Sequence, residues 1–322
     1  MSESLSPKII NEKILENFIE YQDLFVEFQS SFLSGIYKRY ENMENGNLVL
    51  YFAKQAHQDI LRQKDYDLNF NLSFEQFWEN HGLYNPRKNT IINIANDTSL
   101  PKETARRKIS QLIKQEVLGK KNKNIAWLPN EQYKKSYNLF AHEEINNLSQ
   151  LLNLVCNKIN LPISTKEAKK ELKEKFSFYW FHYLNVQLKF LKIWSLRFKD
   201  LDLILISLQV IRIFTSSAKK NNLSHEKIFN DTSIIKNFED VGISATSISE
   251  ATSIPRATCI RKLEILIRLK MISRDKNSKR YYIIPTITGS NLISKKLTLE
   301  ITKTFSEFYF ICIRAINVTN LN

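Results

Sequence analysis

Lys102, Arg106 and Arg107 fall in the phrase "TSLPKETARRKI", which begins at Thr98. The phrase returns from Thr252 as "TSIPRATCIRKL", bringing Arg256 and Arg261. Six of its twelve positions are identical, and the copies stand 154 residues apart. Guanidinium and ammonium groups at this density suit the gripping of a polyanion rather than bond-breaking chemistry. The flanking charge agrees. Between Pro101 and Lys123 there are eight basic residues and two acidic ones; between Pro255 and Arg280 there are nine and two. The rest of the chain holds 30 basic and 29 acidic residues. Nearly all of the net charge of +14 therefore sits at two matched places, the footprint expected of a polyanion-binding surface.

Such residues need a rigid helix behind them. Ile91, Ile92, Ile94 and Ala95 suit a short helix, "NDTS" breaks it, and Pro101 opens a second helix, where a first-turn proline is tolerated. Ala105, Ile109, Leu112 and Ile113 form one apolar stripe along that second helix, and Lys102, Glu103, Arg106, Arg107 and Ser110 lie off it. In the other copy Cys259, Leu263, Leu266 and Ile267 make the stripe, so Cys259 reads as a small buried residue in place of Ala105. Each helix is followed by an apolar pair, a basic tip ("GKKNKN" or "SRDKNSKR") and a short apolar strand ending in proline ("IAWLP" or "YYIIP").

Helix, turn, basic helix and charged hairpin in this order resemble the winged helix-turn-helix of bacterial transcription regulators. The core "TSLPKETARRKISQLIKQEVL" is similar to the Leu-Ser-x-x-Thr-(small apolar)-x-Arg pattern of the MarR, IclR and GntR types, with proline where those families usually have serine. The resemblance implies that Lys102, Arg106 and Arg107 in one copy, and Arg256 and Arg261 in the other, face the major groove of double-stranded DNA. It implies that Thr104 and Thr258 meet phosphate. Lys120, Lys121 and Lys123, and Arg274, Lys276, Lys279 and Arg280, would line two wings. Glu103 and Arg106 give way to Ala257 and Ile260 in the second copy, so the two helices are expected to read different half-sites.

The likeness between the halves runs further. "NLSFEQFW" (Asn71–Trp78) matches "NLSHEKIF" (Asn222–Phe229). Gln29, Phe32, Leu33, Arg39 and Tyr40 match Gln187, Phe190, Leu191, Arg197 and Phe198. Self-similarity at this period implies two related domains. They are placed at 8–161 (helix-turn-helix about 91–116, wing about 117–129) and 166–319 (helix-turn-helix about 246–270, wing about 271–285). Long helices are expected over Glu12–Tyr40 and Lys166–Phe198, second helices over Leu48–Arg62 and Leu201–Ser216, and terminal helices over His142–Asn160 and Leu297–Asn317. Further helices are expected to open at Ser73, in a capping-box pattern with Gln76, and at Ser224. The expected fold class is mainly α: two duplicated winged helix-turn-helix domains, each with a small β-hairpin wing and flanking long helices. MarR-type regulators are usually homodimers, so the duplication implies an intramolecular pseudo-dimer, present as a monomer or as a dimer of such units. Each unit also carries an extra segment before its helix-turn-helix that is not typical of that type.

Other chemistry finds little footing. Cys156, Cys259 and Cys312 are far apart and odd in number, which argues against a disulfide framework or a zinc site and fits a reducing cytoplasm. His57, His81, His142, His182 and His225 show no ligand spacing, so no metal or cofactor is expected. There is no G-x-G-x-x-G, P-loop or G-x-S-x-G, and no enzyme is expected. The run "LDLILISLQVIRIF" (Leu201–Phe214) is shorter than the roughly 20 residues of a spanning helix and reads as core, so no membrane partner is expected. The aromatic run Phe176–Trp194 also reads as core. The expectation is a cytoplasmic, nucleoid-associated, sequence-specific DNA-binding regulator of transcription, with a small-molecule effector left open. The alternatives are a plasmid-type replication initiator with tandem winged helices and a winged-helix scaffold that binds proteins.

Overall fold

The computed structural model describes residues 5–63, 73–81, 86, 88–221, 242–283 and 294–320. In chain order the first half contains α1 (Pro7–Glu16), α2 (Phe18–Tyr40), α3 (Met43–Gln63), α4 (Phe77–Asn80), α5 (Ile91–Thr98) and α6 (Lys102–Lys114). The antiparallel hairpin β1 (Leu118–Lys121) and β2 (Asn124–Trp127) follows, then α7 (Glu131–Lys158). The second half contains α8 (Thr165–Glu174), α9 (Phe176–Ser195), α10 (Asp202–Lys220), α11 (Ala245–Thr252) and α12 (Arg256–Arg268). It closes with the hairpin β3 (Ile272–Arg274) and β4 (Tyr281–Ile283), then α13 (Lys295–Asn320). The chain is mainly helical, with two small two-stranded sheets. The helix expected at Ser224 and the end of the second wing at Pro285 lie outside the described residues.

Each long helix expected at the start of a half is two helices. The first breaks at Asn17 (φ −112°, ψ 33°) and the second at Lys175 (φ −113°, ψ 42°). Neither residue can extend the preceding helix with those angles, and each returns its N–H to a carbonyl one turn back. The entry to α8 has the full reciprocal cap: Ser164 Oγ accepts from Glu167 N at 3.1 Å, and Glu167 Oε2 accepts from Ser164 N at 2.9 Å. At Ser73 only one arm forms, with Gln76 N donating to Ser73 Oγ, and the helix beyond it is a single turn. The helix α7 starts eleven residues before the expected His142, at Glu131, because Asn130 Oδ1 caps Tyr133 N at 3.0 Å.

The core is built by reciprocal pairing. From one half α2 packs along α10 of the other, and α9 packs along α3. The outer helices cross over reciprocally as well: α1 of the first half lies against α13 of the second, and α8 of the second lies against α7 of the first. Between the halves, from α2 to α9 and α13, the rings interlock. Phe25 meets Phe305 edge-on at 4.7 Å, Phe32 meets Tyr183 at 5.4 Å, and Tyr21 and Tyr309 share a hydrogen bond of 3.1 Å between hydroxyls. Phe176, Trp180, Tyr183 and Trp194 are buried, so the aromatic run of α9 is core as expected. The helices α2 and α3 approach so closely at Gly46 that a Cβ there would stand 2.1 Å from Ile36 Cγ2. Among the described residues no helix is long and apolar enough to cross a membrane.

Candidate nucleic-acid interface

The repeated phrase has the same local geometry in both places, and each of its residues has a physical task. Thr98 and Thr252 are buried and donate their hydroxyls one turn back, to Ile94 O and Ile248 O, both at 2.7 Å. Ser99 and Ser253 take left-handed backbone (φ 56° and 62°) and end the first helix. Leu100 and Ile254 plug the turn and are buried. Pro101 and Pro255 then stand at the N-cap of α6 and α12, not inside the first turn as expected; their extended ψ (139° and 135°) starts the helix without an N–H to satisfy. Ala105 and Cys259 are buried at equivalent places, and Cys259 donates its thiol to Ile254 O at 3.4 Å. Burial pushes that thiol up in pKa, so it is a packing residue.

On the outer face of α6, Lys102, Arg106 and Arg107 are exposed and Thr104 is half-buried. Arg106 is paired with Glu103 at 2.8 Å. Its charge is therefore partly answered, and the pair is lost as a unit where Ala257 and Ile260 stand in α12. Arg107 and its counterpart Arg261 are exposed and form no ion pair or hydrogen bond among the described residues. Arg256 is exposed, with Nε donating to Thr246 Oγ1 of α11 at 3.0 Å; Thr258 is half-buried.

The hairpins carry their basic residues unequally. Lys121 pairs in register with Asn124, and the turn between them, Asn122 and Lys123, has both φ values positive (51° and 65°), the twist a two-residue hairpin needs. Lys120 and Lys123 are exposed. Lys121 is half-buried, and its charge acts on the ring of His81. In the other hairpin Lys276 and Lys279 are exposed at the tip, where Asp275 Oδ2 accepts from Asn277 N at 3.0 Å. Arg274 lies over the Tyr281 ring at 5.3 Å, and Arg280 donates to Gly242 O at 3.1 Å. That hairpin is widened by Ile243, which bridges Tyr281 antiparallel. Gly242 permits this, since a Cβ there would stand 2.7 Å from Arg280 Cβ.

No family model, curated protein or solved structure matches this chain.

The residues that hold the two basic helices in place are ones the sequence reading passed over. Lys108 and Lys262, identical in the repeated phrase, point inward and are buried at 7% and 5% exposure. Lys108 Nζ reaches Asn42 Oδ1 at 2.9 Å, Glu44 Oε2 at 3.0 Å and Asn45 Oδ1 at 3.3 Å, at the junction of α2 and α3. Lys262 Nζ reaches Asp200 and, at 3.1 Å, Asp202, at the junction of α9 and α10. The two junctions touch, because Met43 N donates to Asp202 Oδ1 at 3.0 Å. A continuous polar path thus joins α6 to α12 through Lys108, Asn42, Met43, Asp202 and Lys262. The signal was in the sequence: each Lys falls between two stripe positions, three residues after the small residue Ala105 or Cys259. Among the described residues no cluster of His, Cys, Asp or Glu is placed to hold a metal ion.

Proposed function

We propose that this protein binds double-stranded DNA sequence-specifically through two winged helix-turn-helix units, 8–161 and 166–319, joined as an intramolecular pseudo-dimer, and that it regulates transcription by occupancy. The observation that carries the reading is the matched pair α5–α6 and α11–α12. Each presents an unpaired, exposed arginine, Arg107 or Arg261, at the same place, while its identical lysine is buried behind it. Reciprocal packing of α2 on α10 and α9 on α3 supports the pseudo-dimer, since each half covers the other in the same manner. Lys102 and Arg256 extend the groove-facing surface, and Thr104 and Thr258 stand near the helix starts, within reach of phosphate. Lys120, Lys123, Lys276 and Lys279 serve as wing contacts to backbone; Arg274 and Arg280 shape the second wing as much as they charge it.

Arginine is the common bidentate reader of guanine, whereas Ile260 offers only apolar contact to a thymine methyl. The two helices therefore read different half-sites. Selection from a random duplex pool tests this, run on the wild type and on Arg107→Ala and Arg261→Ala. A bipartite asymmetric motif is expected, with each substitution relaxing one half at a cost of about 1–3 kcal/mol. A perfect palindrome, or binding without sequence preference, would overturn the two-reader assignment.

A further inference from the structure

The helices α6 and α12 rest on one shared support. Lys108 Nζ donates to Asn42 Oδ1 at 2.9 Å, Met43 N donates to Asp202 Oδ1 at 3.0 Å, and Lys262 Nζ reaches Asp202 Oδ2 at 3.1 Å. Asn42 Oδ1 also accepts from Asn45 N at 2.9 Å, which caps α3, and Asp200 Oδ1 accepts from Asp202 N at 3.0 Å where α10 opens. Each lysine thus docks on the opening turn of α3 or α10, and the two openings touch. A second brace comes from across the molecule: α5 lies against α9 of the other half, and α11 lies against α2. Within the first half, Asn47 Nδ2 also holds Thr98 O, at the end of α5, at 2.8 Å. Each helix pair is therefore fixed to one body at more than one point, unlike domains that swing on a flexible linker.

The polar path sets an upper limit on how far apart the two helices stand. With every side chain along it fully extended, Lys108 Cα and Lys262 Cα are no more than about 30 Å apart. That limit is reached only if the two lysines point straight at each other, which would turn the outer faces of α6 and α12 to opposite sides. Turning both outer faces, with Arg107 and Arg261, to one duplex swings the lysines back from it and draws the helices closer together. Two helices that enter successive major grooves of straight B-DNA need about 34–36 Å between them. Half a turn nearer, the major groove faces away from the protein. A straight duplex therefore offers no pair of grooves that both helices enter at once.

We propose that the duplex bound by this protein is bent toward it between the two half-sites. The proposal rests on the reading that α6 and α12 bind one duplex. The inner edge of a bend is shorter than its axis, so a bend of at least about 20° over the intervening turn brings the two grooves within the limit. Base pairs that neither helix touches are then selected for ease of bending, in addition to the bases that Arg107 and Arg261 contact.

Competition between curved and linear DNA tests this on the full wild-type chain at one salt concentration. The probe is a covalently closed minicircle of about 105 base pairs, a whole number of turns and so free of torsional strain, set against the same sequence as a linear duplex. The circle supplies about 36° of bend per turn in advance, and is expected to bind at least about fivefold tighter than the linear form. Lys262→Met frees α12 from the shared support and is expected to bring that preference close to one; the wild-type comparison decides the matter even if this variant does not fold. Equal affinity for the two forms, or a preference for the linear one, would overturn the bend while leaving DNA binding in place. Binding to neither form would overturn the DNA reading and the bend with it. A folded Lys262→Met chain that keeps the full preference would overturn the shared support as the origin of the bend.

Discussion

At the scale of single residues, burial decides what a polar side chain does. His57 is fully buried, stacked on Phe77 at a centroid distance of 4.4 Å, and His81 packs against Trp78 and Trp127. Burial holds the His57 imidazole well below its usual range and His81 down to about 3, so both stay neutral when folded. The unfolded chain takes up these protons below about pH 6.5. Stability is therefore lost as pH falls from about 6.5 toward 3, by about 2 kcal/mol for each histidine by pH 5. Urea unfolding at pH 7 and pH 5 should show the loss, and His57→Phe should remove its share of the difference; an unchanged difference in that variant would mean that His57 is protonated in the folded state. The same contrast limits what residue types disclose. Arg107 and Lys108 are adjacent cations in the sequence, yet the first is exposed and the second is a buried anchor. Charge counting alone cannot divide them; their places on the helical wheel can.

At the scale of elements, the two basic helices are held from behind by lysine. Removing one partner of a buried ion pair leaves the other charge uncompensated, at a cost of about 3–5 kcal/mol. Asp202→Ala takes an acceptor from both Lys262 and Met43 N but leaves Lys262 paired with Asp200, so it is expected to destabilise the chain by less than this, by about 1–3 kcal/mol in a denaturant titration. Lys262→Met keeps the stem but leaves Asp200 and Asp202 facing each other without their shared cation, so a loss of stability at least as large is expected. Its effect on DNA is expected to be loss of specificity at the half-site of α12, read by the same duplex selection. An unaltered motif from a folded Lys262→Met chain would show that the lysine sets stability and not helix position. The elements themselves were largely legible. Stripes at helical spacing located α6 and α12, and the basic tips located both hairpins. The breaks at Asn17 and Lys175 were not, because the apolar pattern continues across them and neither residue is a strong breaker. The early start of α7 was missed because its first turns, "EQYKKSYN", are mostly polar and only their cap marks them.

At the scale of the whole molecule, charge and topology make separate demands. If six to ten phosphates are gripped, affinity for duplex DNA should fall by about three to five powers of ten between 50 and 200 mM salt. A salt-independent interaction would favour a protein partner instead. The internal likeness of the halves was legible, but how they meet was not, because sequence alignment reports similarity and not contact. The reciprocal seams mean that residues 1–161 and 162–322, expressed separately, should each expose a broad apolar face and aggregate, whereas co-expressed pieces should pair. Soluble, cooperatively folding halves would contradict this. The placement of α1 against α13 also bears on how the chain is made. The seam between α1 and α13 closes only once α13 has been made, and in the adjoining α2 Tyr21 waits 288 residues for its hydroxyl partner Tyr309. Until then α1 has only α2 and α7 to pack against, so closure of this long-range seam is expected to be a late and slow step of folding.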